Sequence, residues 1–220
     1  MTTVFLVRHP QTTWNTEGRF QGGLEAPLTA EGSEQALLLA ASFVGQPLAG
    51  VYTSPIGRAA NTARLISDEA ESPLFVDERL SEINMGAWEG LDHRQVKSRF
   101  PDVYRNWYSH PTQVTFPGGE SLHDVQRRAC DALGEIFERF PLARVAVVTH
   151  SVVVQVLAAS ALRLELDNIH RITVSNSSVT TICGDEIPGT LVTLNATDER
   201  YRSAPTAAGA GEEKEPLPWH

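Results

Sequence analysis

The sequence predicts an α/β fold, a three-layer α/β/α sandwich around a mostly parallel central sheet with a lid-like insert. Two kinds of observation predict it. Short apolar runs rich in β-branched residues, Thr3-Val4-Phe5-Leu6-Val7 and Val145-Ala146-Val147-Val148, have the length and composition of buried strands, and segments with helix-start signals alternate with them. Both runs also stop abruptly at polar residues, Arg8-His9-Pro10 in one case and Thr149-His150-Ser151 in the other. Open α/β sheets bind ligands at the carboxyl ends of their strands, so two strands that each deliver a histidine there build a site.

The elements follow in order. The first strand covers roughly 3–7. Thr29 is placed to cap a helix running through Gln35-Ala36-Leu37-Leu38-Leu39 to about Val44. Gly50–Thr53 reads as the second strand. Ser54-Pro55 then reads as an N-cap followed by proline at the first helical position, opening a helix with Arg58, Thr62 and Leu65 along one side. Leu74–Val76 is a short third strand. Ser121 with Asp124 three places on is a variant capping box, and Val125, Ala129, Ala132, Ile136 and Phe140 recur at helical spacing behind it. The strand at 145–148 and a helix from about Val152 to Leu162 follow. Val179–Cys183 and Thr190–Leu194 close the sheet around a turn holding Asp185, Pro188 and Gly189.

Two stretches break this rhythm. Residues 83–120 are too long for a connection and carry Trp88, Phe100, Tyr104, Trp107, Tyr108 and Phe116, which suggests a lid whose aromatic residues pack rather than bind. Residues 203–220, rich in Ala, Gly, Glu and Pro, read as a flexible tail outside a single domain spanning 1–202.

The formal net charge of −9 argues against a nucleic-acid partner, which needs a basic face. Any anion must be held locally by a few arginines, the better bidentate clamps for phosphate. Cys130 and Cys183 sit in no CxxC or Cys/His metal pattern and read as free, buried thiols. The chain opens directly on a strand and has no apolar run of membrane-spanning length, so no membrane partner and a cytoplasmic setting are expected. A homodimer is compatible with all of this. Two histidines and an arginine gathered in one cleft suit phosphate chemistry.

The motifs extend that reading. Val7-Arg8-His9-Pro10-Gln11-Thr12-Thr13-Trp14-Asn15 resembles the signature of the histidine phosphatase superfamily, the phosphoglycerate-mutase-like proteins. Further stretches fall in the family's order: Gln21-Gly22 with Pro27-Leu28-Thr29, Ser54–Ala59 with Thr62-Ala63, Leu80–Ile83 with Gly86–Gly90, Pro117–Ser121, Val148–His150 and Asn176–Val179. The resemblance implies that His9 is the nucleophile and that Glu82 is the general acid and later the base. It also implies that Arg8, Arg58, Asn15 and His150 surround the phosphoryl oxygens. Gln21, Gly22 and Ser151 are further candidates for substrate contact. No cofactor and no metal are implied. The expected partner is a small phosphorylated metabolite.

Two positions depart from the family pattern, which has glycine after each site histidine. Pro10 has no amide hydrogen to offer a phosphate, and Ser151 adds a side chain where backbone could approach closely. Several readings therefore stand beside a phosphatase. One is a phosphoglycerate-mutase-type transferase. Another is a weakened phosphate-binding or regulatory protein. A zinc hydrolase using His9, His150 and Glu82 is disfavoured, because two arginines aimed at one pocket repel a cation.

Overall fold

The structure, a computed structural model, describes residues 1–197. The tail expected at 203–220 lies outside the described residues. A six-stranded sheet is built from β1 (Thr2–Arg8), β2 (Gly50–Thr53), β3 (Leu74–Val76), β4 (Arg144–Thr149), β5 (Val179–Gly184) and β6 (Thr190–Ala196), in the order β3-β2-β4-β1-β5-β6. The first four run parallel, while β5 pairs antiparallel with β1, and β6 with β5.

Alternation along the central strands divides the core into two layers. Val4, Leu6, Val145 and Val147 face one side, packing with α6 (Leu122–Arg139) and α7 (Ser151–Ala161). Phe5, Val7, Ala146 and Val148 face the other, packing with α2 (Ala30–Ala41) and α3 (Gly57–Glu69). Strands buried on both faces must be apolar at every position, which is why these runs do not alternate with polar residues.

Parallel register positions the site. Val7 pairs with Val148 and Arg8 with Thr149, so His9 and His150 leave the sheet side by side. Thr53 pairs with Val148, which brings Ser54 to the same edge. The chain leaves β1 toward β2 on one side and leaves β4 toward β5 on the other. The β1–β4 boundary is thus the topological switch point where open sheets place ligands.

The helices match most of their predicted starts. Thr29 caps α2 by accepting from the Gly32 amide, and Ser121 with Asp124 forms a reciprocal capping box on α6. Helix α2 ends at Ala41 rather than Val44, and Phe140 lies just past α6, packed on Tyr52 and Phe75. A short helix after β1, α1 (Thr13–Glu17), is capped by Thr12. The insert contains α4 (His93–Arg99) and α5 (Pro101–Ser109). Its aromatic residues mostly pack, as expected. Trp88 is fully buried, with Phe20, Tyr104 and Phe116 around it, and Trp107 packs on Phe116, whereas Tyr108 is largely exposed.

Candidate active site

His9 sits where β1 ends. Its amide donates to the Thr149 carbonyl, which keeps it in strand geometry. Its ring Nδ1 lies 2.7 Å from the Pro10 carbonyl and its Nε2 lies 3.2 Å from Arg58 Nε. A carbonyl can only accept and a guanidinium can only donate. These two partners therefore fix the neutral tautomer with the proton on Nδ1 and a lone pair on Nε2. The His9 carbonyl accepts from Asn176 Nδ2 at 3.1 Å, which anchors the backbone from the β5 side.

Arg58 stands in the first turn of α3. Its Nη1 and Nη2 donate to the carbonyls of Leu24 and Gly22 at 2.7 and 2.8 Å. The loop after α1 thus holds the guanidinium against His9. Gly22 has φ of +50°, and a Cβ there would fall 2.0 Å from Glu89 Oε1, so a glycine is required. Arg8 donates through Nη1 to the Val174 carbonyl at 2.5 Å, while its buried Nε has no partner among the described residues. Asn15 Oδ1 accepts from the Thr12 amide and hydroxyl, both at 3.0 Å. That capping box commits the oxygen and leaves the amide NH2 for the pocket that Asn15 lines.

His150 lies beside His9, with ring centroids 5.3 Å apart. Its Nε2 is 2.7 Å from Ser54 Oγ, and its buried Nδ1 has no partner among the described residues. With the hydroxyl accepting from the Ile56 amide and donating to Nε2, Nδ1 carries the proton and is a donor free of any partner among the described residues. Glu82 completes the ring of groups. Its Oε1 accepts from the Ile83 amide at 3.0 Å, and its Oε2 has a longer contact of 3.5 Å to the Val152 amide at the start of α7. Arg8, His9, Asn15, Gln21, Arg58 and Glu82 line one cavity of about 130 Å³, with Met85 from the insert at its rim. That volume suits a phosphoryl group, not a whole metabolite.

A model of the histidine phosphatase superfamily (branch 1) matches residues 4–197. The chain belongs to this superfamily. Among curated relatives, phosphoserine phosphatase 1 of Hydrogenobacter thermophilus is 32% identical over 197 residues, covering 90% of this chain and 93% of that protein. A protein named "probable phosphoglycerate mutase" in Yersinia enterocolitica is 32% identical over 192 residues, covering 86% of this chain and 87% of its own. Among solved structures, YhfR of Bacillus stearothermophilus superposes with a TM-score of 0.83 at 35% identity, over 90% of this chain and 98% of that one. A mycobacterial glucosyl-3-phosphoglycerate phosphatase in complex with VO3 gives 0.81 at 28% identity, over 88% and 99%. The activity class that goes with this membership is phosphoric monoester hydrolysis of a small phosphorylated substrate.

The electrostatics of the site suit a superfamily phosphatase. Burial, reinforced by Arg58 and Arg8, holds the His9 imidazole well below its ordinary pKa. Burial with Arg58 and His9 nearby does the same for His150. Burial pushes the Glu82 carboxyl up, against the opposing pull of the Ile83 amide, Arg58 and Arg8. Neutral imidazoles and a protonated carboxyl are the states a nucleophile, a donor and a general acid require.

The structure redraws some sequence expectations. Ser54 does not cap a helix: α3 starts at Gly57 after Ile56, without a side-chain cap, and the Ser54 hydroxyl lies between the His150 ring and the Ile56 amide. Ser151 opens α7 and is not among the residues lining the phosphate-sized cavity. Gly22 lines that cavity, and its carbonyl holds Arg58. Only the ends of the 83–120 insert reach the cavities, through Met85, Asn84, Glu89 and Glu120; the helices α4 and α5 stand away. Cys130 is half-buried and Cys183 buried, both free. Among the described residues no group of three or more His, Cys, Asp or Glu is arranged to hold a metal, and no helix is long and apolar enough to cross a membrane.

Proposed function

We propose that the chain hydrolyses a phosphomonoester through a phosphohistidine on His9. The His9 Nε2 lone pair attacks phosphorus, forming the P–N bond as the P–O bond to the alcohol breaks. Glu82 gives its proton to that departing oxygen. The resulting carboxylate then takes a proton from water as the water oxygen attacks phosphorus. The P–N bond breaks, phosphate leaves and Glu82 is protonated again. Arg8, Arg58, Asn15 and His150 donate to the non-bridging oxygens throughout, the main requirement of phosphoryl transfer.

The observation that carries this reading is the pair of fixed partners on the His9 ring. Nδ1 is tied to the Pro10 carbonyl, and Nε2 is presented as a lone pair inside the cationic cavity that Glu82 also lines. Pro10 is absent from that cavity's lining and meets His9 through its carbonyl, so the missing amide removes no group that this reading uses. Hydrolysis is favoured over mutase transfer because a doubly phosphorylated intermediate needs free cations beside the first site. Arg79 and Arg128, the cations of the adjoining cavity, are already paired with carboxylates. The two free thiols fit a reducing, cytoplasmic compartment.

The test is turnover of an aryl phosphate by purified protein with chelator present, beside the same assay on His9→Ala. Wild type should release phosphate and carry an acid-labile phosphoryl label, and the variant should do neither. Wild-type-like hydrolysis by His9→Ala would remove His9 as nucleophile. Incubation with phosphoglycerate alongside separates hydrolysis from isomerisation.

A further inference from the structure

Beside the phosphate-sized cavity lies a second one of about 680 Å³, and Glu82 lines both. If Glu82 protonates the departing oxygen, as proposed above, the alcohol half of the substrate must lie on the Glu82 side of the phosphorus. The larger cavity is where that half fits, and its size suits a small organic group.

The charges of its walls are unequal. Arg128 makes a two-point ion pair with Glu120, with Nε and Nη2 at 2.9 and 3.0 Å from the two carboxylate oxygens. Its remaining reach goes to the carbonyls of Arg79 and Glu82. Arg79 is held by Asp77 and by Glu135, each at 2.6 Å from Nη2. Both cations are thus compensated by carboxylates of their own. Glu78 is exposed on the cavity wall and has no ion-pair partner among the described residues. Glu89 accepts from the Gly23 and Met85 amides through Oε1, both at 3.0 Å, and its charge is partly offset by Arg58 of the adjoining cavity. The other arginine near the entrance, Arg19, lines the phosphate cavity and is paired with Glu17. A carboxylate placed in the larger cavity would meet the unpaired Glu78 and the only partly offset Glu89, and no unpaired arginine among that cavity's own lining residues.

We infer that this cavity is the leaving-group subsite and that it selects phosphomonoesters of amino-bearing alcohols over those bearing a carboxylate, with Glu78 and Glu89 as the selecting residues. The substrate is then a phosphorylated amino alcohol or amino sugar. A phosphorylated hydroxy acid is disfavoured by charge repulsion.

The inference rests on the hydrolase reading, and the experiment separates the two. Specificity constants are measured for phosphoethanolamine, glycerol phosphate and 3-phosphoglycerate, with an aryl phosphate as the measure of turnover itself. Binding of 3-aminopropylphosphonate and 3-phosphonopropionate, which cannot be hydrolysed, is measured in parallel by calorimetry on the same full-length protein. The amino-bearing ligand should be preferred over the carboxylate-bearing one by about two- to fivefold in each series, the value of one favourable ion pair near a surface. Glu78→Lys should reverse or abolish the preference, and Glu78→Gln should reduce it, read as the ratio between ligands so that general losses cancel. A wild type that prefers the carboxylate-bearing ligand, or is indifferent, overturns the inference. So does a Glu78→Lys ratio equal to wild type. If the aryl phosphate is not turned over, the hydrolase reading fails, and the phosphonate ratio still decides the charge preference of the cavity.

Discussion

Ser54→Ala tests whether His150 is aimed by a hydroxyl that is not itself part of the phosphate cage. Both residues are fully buried, and the Oγ to Nε2 distance is 2.7 Å. Removing Oγ leaves Nε2 without a partner in a site water does not reach, at a cost of ~1–3 kcal/mol. The Ile56 amide also loses its 3.3 Å contact with the same oxygen. Together about 2–3 kcal/mol of stability is lost, which for a domain of this size lowers Tm by roughly 4–12 °C. The kinetic consequence has two parts. If the ring stays put and only its tautomer is freed, about half the molecules present a lone pair to the phosphate, a loss of about twofold. If the ring also turns, a hydrogen bond to a charged oxygen is lost, ~1.5–3 kcal/mol or roughly 10–150-fold in kcat/KM. The Ser54 hydroxyl is the single hydrogen-bond partner of the His150 ring among the described residues, so the second case applies. Steady-state kinetics on an aryl phosphate, a thermal melt and imidazole nitrogen chemical shifts check it. A variant with lowered Tm but wild-type kcat/KM would show that Ser54 supports the fold and not the donor.

The remaining predictions concern the acid, the proline and the insert. Glu82→Gln should slow poor leaving groups by ~10²–10⁴-fold and aryl phosphates far less, since an amide supplies no proton. Equal losses across leaving groups would take Glu82 out of that role. In wild type, kcat/KM should be bell-shaped in pH, with an acid limb well below the ordinary histidine value of 6.5 and an alkaline limb above the ordinary carboxyl value of 4.5. Glu82→Gln should erase the alkaline limb alone, and its persistence would assign that limb to another group. Pro10→Gly should cost ~0.4–1 kcal/mol through a freer unfolded chain and leave vanadate affinity nearly unchanged, because the Pro10 carbonyl remains. Binding about tenfold tighter would mean that the missing amide weakens the site. Trp88→Ala should cost ~3–5 kcal/mol, because the ring is fully buried among Phe20, Tyr104 and Phe116, and Tm should fall by roughly 6–20 °C. A loss under about 1 kcal/mol would contradict the packing role of the insert.

The legible parts of the sequence were those whose cause is local. Buried strands announce themselves as apolar runs, and β1, β2 and β4 each end at a polar residue that the parallel register brings to one edge. Capping residues such as Thr29 and Ser121 are read from a few neighbours. Ser-Pro after a strand carries no mark of where its hydroxyl reaches, and in the fold Ser54 Oγ meets both the nearby Ile56 amide and a histidine 96 residues away. Helix α1 escaped because five residues are too few to display a period, although Thr12 and Asn15 together carry its capping box. The direction of β5 has no local signature, since an antiparallel strand buried on both faces is as apolar as a parallel one. The Arg128–Glu120 pair and the Glu89 tie to the Gly23 amide were invisible for the same reason as Ser54: the partners meet only after folding.

The charges that would bind phosphate are only partly compensated in the empty site, and this links function to stability. Arg8 and Arg58 are buried together, and Glu82 is the strongest opposite charge felt by both. Yet Glu82 is itself pushed toward the protonated form, in which it compensates nothing. His9 and His150 respond by staying neutral, their pKa values depressed in the fold. The sign of the consequence follows from proton counting. Below about 6.5 the unfolded chain binds protons at these histidines while the folded chain does not, so stability falls as pH drops through that range toward the folded values. Above it, both states are neutral and the effect vanishes. Glu82 acts in the opposite sense: its raised folded value means the fold holds a proton that the unfolded chain has released, so its contribution declines as pH rises above 4.5. A bound phosphate or vanadate supplies the missing negative charge to the two arginines, and by linkage it must stabilise the fold. Occupancy of the cavity by an anion and stability of the fold are thereby coupled.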